Sequence, residues 1–355
     1  MPEYYSQREC RMADCWQLVP SLLIVYLTLT FIQPTMVSFL SRYTGGLSSL
    51  LRLTQPTQSQ QPGPAVSAYS SSSTSRLTTT LGFILGPLLI SSPFSNRSRY
   101  YLRMLAYVVG LAIGSLTGVL AGLAVPIVRP SWRKNIQWLV ARTFYNLVGP
   151  VIGWEFIVEG EEYLEPCYRG ESHVLVGNHQ SMIDILYLGR IFPKTCVVMA
   201  KKELKYTPLL GQYMALSRAV FVDRHNRATA LETFQKVGTD MKRYGLNLFI
   251  FPEGTRSNTT KPSLLPFKKG AFHLSQQSQL PIIPIVCENY SSIYRSKLAR
   301  FERGRPVIKV LKPVLPLPGQ SPEELLTLVR DQMLHALVEL SQRPGSVSSL
   351  CTAAD

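Results

Sequence analysis

The chain has 355 residues and carries 37 basic against 22 acidic side chains, a formal net charge of +15. That excess selects anionic partners: nucleic acid, a phospholipid surface or a phosphorylated small molecule. The length holds one large domain or two smaller ones without disulfide support. The six cysteines (Cys10, Cys15, Cys167, Cys196, Cys287, Cys351) show no C-x-x-C and no paired histidine spacing, which argues against a structural zinc site or a disulfide framework.

Hydropathy favours the membrane over nucleic acid. Residues 16–40 are almost uncharged and long enough to cross roughly 30 Å of hydrocarbon. Basic residues precede this run as in a signal peptide, but no small-x-small cleavage site follows, so an uncleaved anchor over 1–52 is expected. Residues 53–80, rich in Ser, Thr, Gln and Pro, read as a disordered linker. Within the region 81–131, the run 81–90 is short for a span, whereas 104–128 carries no charge at all and is the better membrane segment. In it Gly110, Gly114, Gly118 and Gly122 recur every fourth residue, a packing stripe for the first segment or for a second copy of the chain, and so a route to a homo-oligomer.

From about Trp132 the pattern becomes that of a soluble domain, expected to occupy 132–341 and to be followed by a flexible tail at 342–355. Short β-rich runs at 173–176, 195–199, 219–222, 246–251, 282–286 and 307–311 alternate with helical stretches. One helix is expected over 226–244, closed by Gly245, and a last one from Ser321, Pro322 and Glu324, which form an N-cap, an N1 proline and a capping box. The fold class is α/β: a mixed, mainly parallel sheet flanked by helices and preceded by N-terminal transmembrane helices.

Polar residues cluster at the strand exits. In GNHQSMIDIL, His179 follows the strand and Asp184 falls in the first turn of the next helix. An acid so placed can reach one imidazole nitrogen and leave the other to take a proton; a structural histidine satisfied by a nearby acid is the plainer alternative. After NLFIF come Glu253, Gly254, Thr255 and Arg256, a turn and guanidinium suited to an anion. After AVFV come Asp223 and Arg224. Each arginine alone is also compatible with a surface ion pair.

These blocks in this order resemble the lysophosphatidic acid acyltransferases, the 1-acylglycerol-3-phosphate O-acyltransferases. NHQSMID resembles the family's N-H-x-x-x-x-D block, VFVDR its F-x-D-R block, FPEGTRS its F-P-E-G-T-R-S block and LPIIPIV its fourth block, while AKKEL at 200–204 fits a basic stretch between the first two. The resemblance covers roughly residues 130–315, with one departure: Arg218 stands where the family often has glycine.

The resemblance implies transfer of a fatty acyl group from acyl-CoA, a co-substrate, to lysophosphatidic acid, with no cofactor, no metal and no nucleic-acid partner. His179 is implied as general base and Asp184 as its orienting group. Arg224, Arg256 and Lys202 are implied at the acceptor phosphate, with Glu253, Gly254 and Thr255 shaping that pocket and Glu253 serving as an arginine partner. An integral membrane protein among membrane lipids is expected, and the length and linker suggest, by analogy, the endoplasmic reticulum. Glycerol 3-phosphate or another lysophospholipid remains open as acceptor. A metal-dependent phosphohydrolase using His179, Asp184 and Glu253 is the rival of another class, poor in ligands without a second nearby histidine. A serine hydrolase lacks its G-x-S-x-G elbow, and a non-enzymatic adaptor leaves the motif order unexplained.

Overall fold

A computed structural model describes residues 95–223 and 227–348, with the backbone alone for 227–231. The expected anchor, the linker, the run 81–90 and Arg224 lie outside the described residues. Among the described residues the longer helices are α1 (Asn96–Val128), α2 (Ile136–Ile152), α3 (Asp184–Ile191), α4 (Leu210–Leu216), α5 (Arg227–Tyr244), α6 (Gly270–Ser278) and α7 (Pro322–Gln342). The strands β1 (Ile157–Glu159), β2 (Val174–Gly177), β3 (Cys196–Lys201), β4 (Val220–Val222), β5 (Asn247–Ile250), β6 (Ile282–Cys287) and β7 (Val307–Val310) form one sheet in the order β1-β7-β6-β2-β5-β3-β4.

From β6 to β4 all neighbours are parallel; β7 runs antiparallel to β6, and β1 parallel to β7. The expected mixed, mainly parallel sheet is therefore present. Central β2 explains why its sequence is an unbroken apolar run. Val174, Leu175 and Val176 are fully buried, because helices cover both faces of the sheet and no side of the strand meets water. Phe144, Leu186 and Ile191 pack against one face, and Phe272, Val329 and Met333 against the other. Both expected caps occur. Gly245 closes α5 at φ +62°, and the Ser321 hydroxyl accepts the Glu324 amide while the Glu324 carboxylate accepts that of Ser321.

Helix α1 begins eight residues before the expected span, at an N-cap where Ser95 accepts the Ser98 amide. Its added turns are tied to the sheet domain by Arg103, whose guanidinium is 3.3 Å from Glu302 and also donates to the Phe301 carbonyl. By length and composition α1 is the one helix among the described residues able to cross a membrane.

The glycine stripe is a packing face, but its partner differs from both expectations. All four glycines are buried, and α2 and α4 of the same chain fill the stripe. A Cβ on Gly110 would overlap Val148, one on Gly118 the Tyr213 ring, and one on Gly122 would lie 2.7 Å from Leu216. The stripe is thus filled by side chains of the sheet domain itself. Elsewhere Leu120, Leu123, Ile127 and Val128 of α1 and Leu147 and Val151 of α2 are exposed, an apolar surface suited to lipid.

Two further departures concern single segments. The expected flexible tail instead packs as far as Ser348: Ser346 and Val347 are buried, and Ser346 donates to the buried Glu288 carboxylate. Arg218 adopts φ +63°, the left-handed region that favours glycine, and its guanidinium lies over the Tyr244 ring, 5.5 Å from its centroid. The cation–π contact offsets part of the backbone strain.

Candidate active site

The carboxyl ends of parallel β2, β5 and β3 open onto one cavity of about 770 Å³, the place where open α/β sheets collect ligands. Chain direction alone brings the motif loops there, since each follows a strand running the same way. Asn178 anchors the first loop: its side-chain carbonyl accepts the Cys287 amide at 2.8 Å and its amide donates to the Cys287 carbonyl at 2.9 Å.

His179 and Asp184 meet as their spacing suggested. Nδ1 of His179 stands 2.7 Å from Oδ2 of Asp184. Because an ionised carboxylate only accepts, the proton belongs on Nδ1 and the lone pair on Nε2. Asp184 is buried at the start of α3, and its Oδ2 also accepts the amides of Gln180 at 2.6 Å and Ser181 at 3.0 Å. Its Oδ1 takes the Tyr290 hydroxyl at 2.5 Å. The imidazole stacks on Phe251, centroid to centroid 4.1 Å, and lines the cavity. Ring plane, tautomer and free nitrogen are thus all set, an arrangement able to take a proton from a hydroxyl held in the cavity.

Glu253 has a different position from the one expected. Nearly fully buried, it does not pair with an arginine; Oε1 accepts the His179 amide at 2.7 Å and Oε2 that of Leu265 at 3.0 Å. Burial pushes its carboxyl above the usual range, against those two amides. The two loops are joined again where Ser257 and Asn258 donate to the carbonyls of His179 and Gln180 at 2.8 and 3.0 Å. Glu253 thus holds the histidine loop in place.

Gly254, Thr255 and Arg256 do line the cavity. Gly254 turns the chain at φ +70°, and among the described residues no carboxylate pairs with Arg256. Lys202 is not in the cavity wall: its ammonium pairs with Asp223 at 3.1 Å, while its neighbour Lys201 lines the cavity. Lys268, which the sequence reading overlooked, lines it as well. The lining thus carries Arg256, Lys268 and Lys201, whose ammonium also pairs with Glu203 at 3.3 Å, and no Asp or Glu, a field suited to an anionic ligand. The inner wall is apolar, with Leu111, Phe144, Ile185, Leu188, Phe192 and Val198. Among the described residues no three His, Cys, Asp or Glu side chains converge as metal ligands, and the oxygens of Asp184 and Glu253 are already engaged.

Tyr290 was also missed. Its signal was the polar run ENYSS leaving β6, the same pattern that drew attention to the other three exits.

A profile of the family described as Acyltransferase matches residues 155–288. The "1-acyl-sn-glycerol-3-phosphate acyltransferase" of Saccharomyces cerevisiae is 41% identical over 252 residues, covering 70% of this chain and 81% of that protein. The "1-acyl-sn-glycerol-3-phosphate acyltransferase alpha" of Homo sapiens is 32% identical over 262 residues, 73% of this chain and 87% of that one. The crystal structure of the 1-acyl-sn-glycerophosphate (LPA) acyltransferase PlsC from Thermotoga maritima superposes with a TM-score of 0.54 at 24% identity, over 69% of this chain and 99% of that one, so the fold is shared. The chain belongs to the 1-acyl-sn-glycerol-3-phosphate acyltransferase family.

Proposed function

We propose that the protein transfers a fatty acyl group from acyl-CoA to the free sn-2 hydroxyl of 1-acylglycerol 3-phosphate, producing phosphatidic acid and coenzyme A. The observation that carries this reading is the cavity in which His179 lies among Lys201, Arg256 and Lys268 beside an apolar wall. Such a cavity suits a molecule with a phosphate and a long chain.

His179, oriented by Asp184, takes the hydroxyl proton on Nε2. The hydroxyl oxygen attacks the thioester carbon, the C–S bond breaks, and the proton passes to the departing thiolate, so no acyl-enzyme forms. Arg256 binds the acceptor phosphate, with Arg224 assigned there on its sequence block alone. No cofactor or metal takes part. The protein is integral to the membrane, held by α1 and by the N-terminal segment, and its setting is the endoplasmic reticulum.

The deciding experiment offers purified protein a panel of labelled lysophospholipids and glycerol 3-phosphate with acyl-CoA and identifies the product lipid. Phosphatidic acid from lysophosphatidic acid is expected, lost in His179→Ala. Turnover of glycerol 3-phosphate instead would move the acceptor assignment, and full activity in His179→Ala would remove the base.

A further inference from the structure

The dyad is completed by a residue from a distant strand exit. Tyr290 lies three residues beyond β6 and is 2% exposed. Its hydroxyl is 2.5 Å from Asp184 Oδ1 and 2.8 Å from Ser181 Oγ. Since the carboxylate only accepts, the tyrosine proton points to Asp184, and the Ser181 hydroxyl donates to the tyrosine oxygen. Trp154 packs edge-on against the ring at 5.2 Å. Gln180 ties the two loops together, its side chain donating to the carbonyls of Cys287 at 3.1 Å and Glu288 at 2.8 Å.

Relying on the reading of His179 as general base, we propose that Tyr290 is a positioning residue for acyl transfer: its hydroxyl sets the rotation and the effective charge of the Asp184 carboxylate, and through it the plane and basicity of His179. Of the four donors on that carboxylate, His179, Gln180 and Ser181 come from its own loop. Among the described residues Tyr290 alone binds the other oxygen and stops the group turning about its axis. Burial and the adjacent Asp184 charge push the tyrosine hydroxyl well above its usual range, so it stays a donor at working pH. The other titratable groups coupled to the dyad are Tyr107 on α1, Tyr187 on α3, Tyr294, Cys287 and Glu253. The fixed cation nearby is Arg256, which lines the same cavity as His179.

The test is Tyr290→Phe, which keeps the ring and its packing, with Ser181→Ala as a milder partner. Tyr290→Phe is expected to lower kcat roughly tenfold, the scale of one charge-assisted hydrogen bond. KM for both substrates should stay within about twofold, since no binding contact is removed. With one donor gone the carboxylate stabilises imidazolium more, so the acid limb of the kcat/KM profile should move to higher pH. Ser181→Ala should show the same changes at a smaller size. Unchanged kcat and acid limb in Tyr290→Phe, or losses of kcat and thermal midpoint in parallel with the limb in place, would overturn the role. So would an unfolded Tyr290→Phe beside a Ser181→Ala of unchanged rate and profile. A wild-type protein that acylates no lysophospholipid would instead overturn the acyl-transfer reading.

Discussion

Replacing Asp184 with asparagine separates its chemical role from its structural one, because the surroundings can absorb the amide. If the asparagine carbonyl takes the place of Oδ2, it still accepts from His179 and from the amides of Gln180 and Ser181. Its NH₂ then faces Tyr290, whose hydroxyl can accept and donate instead to Ser181, 2.8 Å away. Every backbone donor keeps a partner, the Ser181 hydroxyl gives up its acceptor, and a buried charge is removed, so stability should change by no more than about 2 kcal/mol. Catalysis has no such substitute. The charge that steadies imidazolium is gone, and kcat should fall on the order of 100- to 10,000-fold. Asp184→Ala, by contrast, orphans the amides of Gln180 and Ser181 at about 1–3 kcal/mol each, or roughly 2–6 kcal/mol in total. The assay is phosphatidic acid formation from labelled lysophosphatidic acid and acyl-CoA, with the thermal midpoint measured in the same detergent. An asparagine variant with near wild-type kcat would refute the argument, and one as unstable as the alanine variant would refute the hydrogen-bond accounting.

Arg256→Lys should raise the KM for lysophosphatidic acid about tenfold with a much smaller change for acyl-CoA, because an ammonium cannot reproduce a bidentate contact of about 1.5–3 kcal/mol; an unchanged acceptor KM with a lowered thermal midpoint would assign Arg256 to structure. Exhaustive chelation should leave transfer largely intact, and activity restored only by stoichiometric zinc or manganese would favour the phosphohydrolase chemistry. Gly118→Ala drives a Cβ into the Tyr213 ring and should destabilise by about 1–3 kcal/mol, whereas Gly114→Ala meets its nearest neighbour at 3.6 Å and should be neutral or gain up to about 1 kcal/mol of helix propensity; thermal midpoints of the pair decide. Lys309 and Arg343 hold the Glu339 carboxyl down at about 2. Its folded value lies below its unfolded one, so its contribution is present above about pH 4.3 and is lost as pH falls toward 2, small because the site is exposed. Glu339→Gln should flatten acid unfolding in that window, and an unchanged acid limb would dismiss the cluster.

What the sequence determined by itself was local or periodic. Apolar runs bounded by turn residues placed six of the seven strands of the sheet, and capping chemistry located the end of α5 and the start of α7. The spacing of His179 and Asp184 sufficed because a strand exit and one helical turn bring them together whatever the remaining chain does. Strand β1 and helix α2 were not separated from their surroundings.

Tertiary structure decided whatever depended on partners far apart in the chain. A glycine stripe specifies close approach without specifying the approaching helix, and packing assigned it to α2 and α4. Glu253 beside Arg256 reads as an ion pair in sequence, yet burial directs its oxygens to two amides and leaves the guanidinium to the cavity. Lys201 ends β3 and Lys202 opens the 3-10 turn that follows, so only the placement of that strand end beside the cavity could tell which one lines it. Tyr290 reaches Asp184 across 106 positions of sequence, a contact that no local pattern encodes and that only the parallel order of β6 and β2 creates.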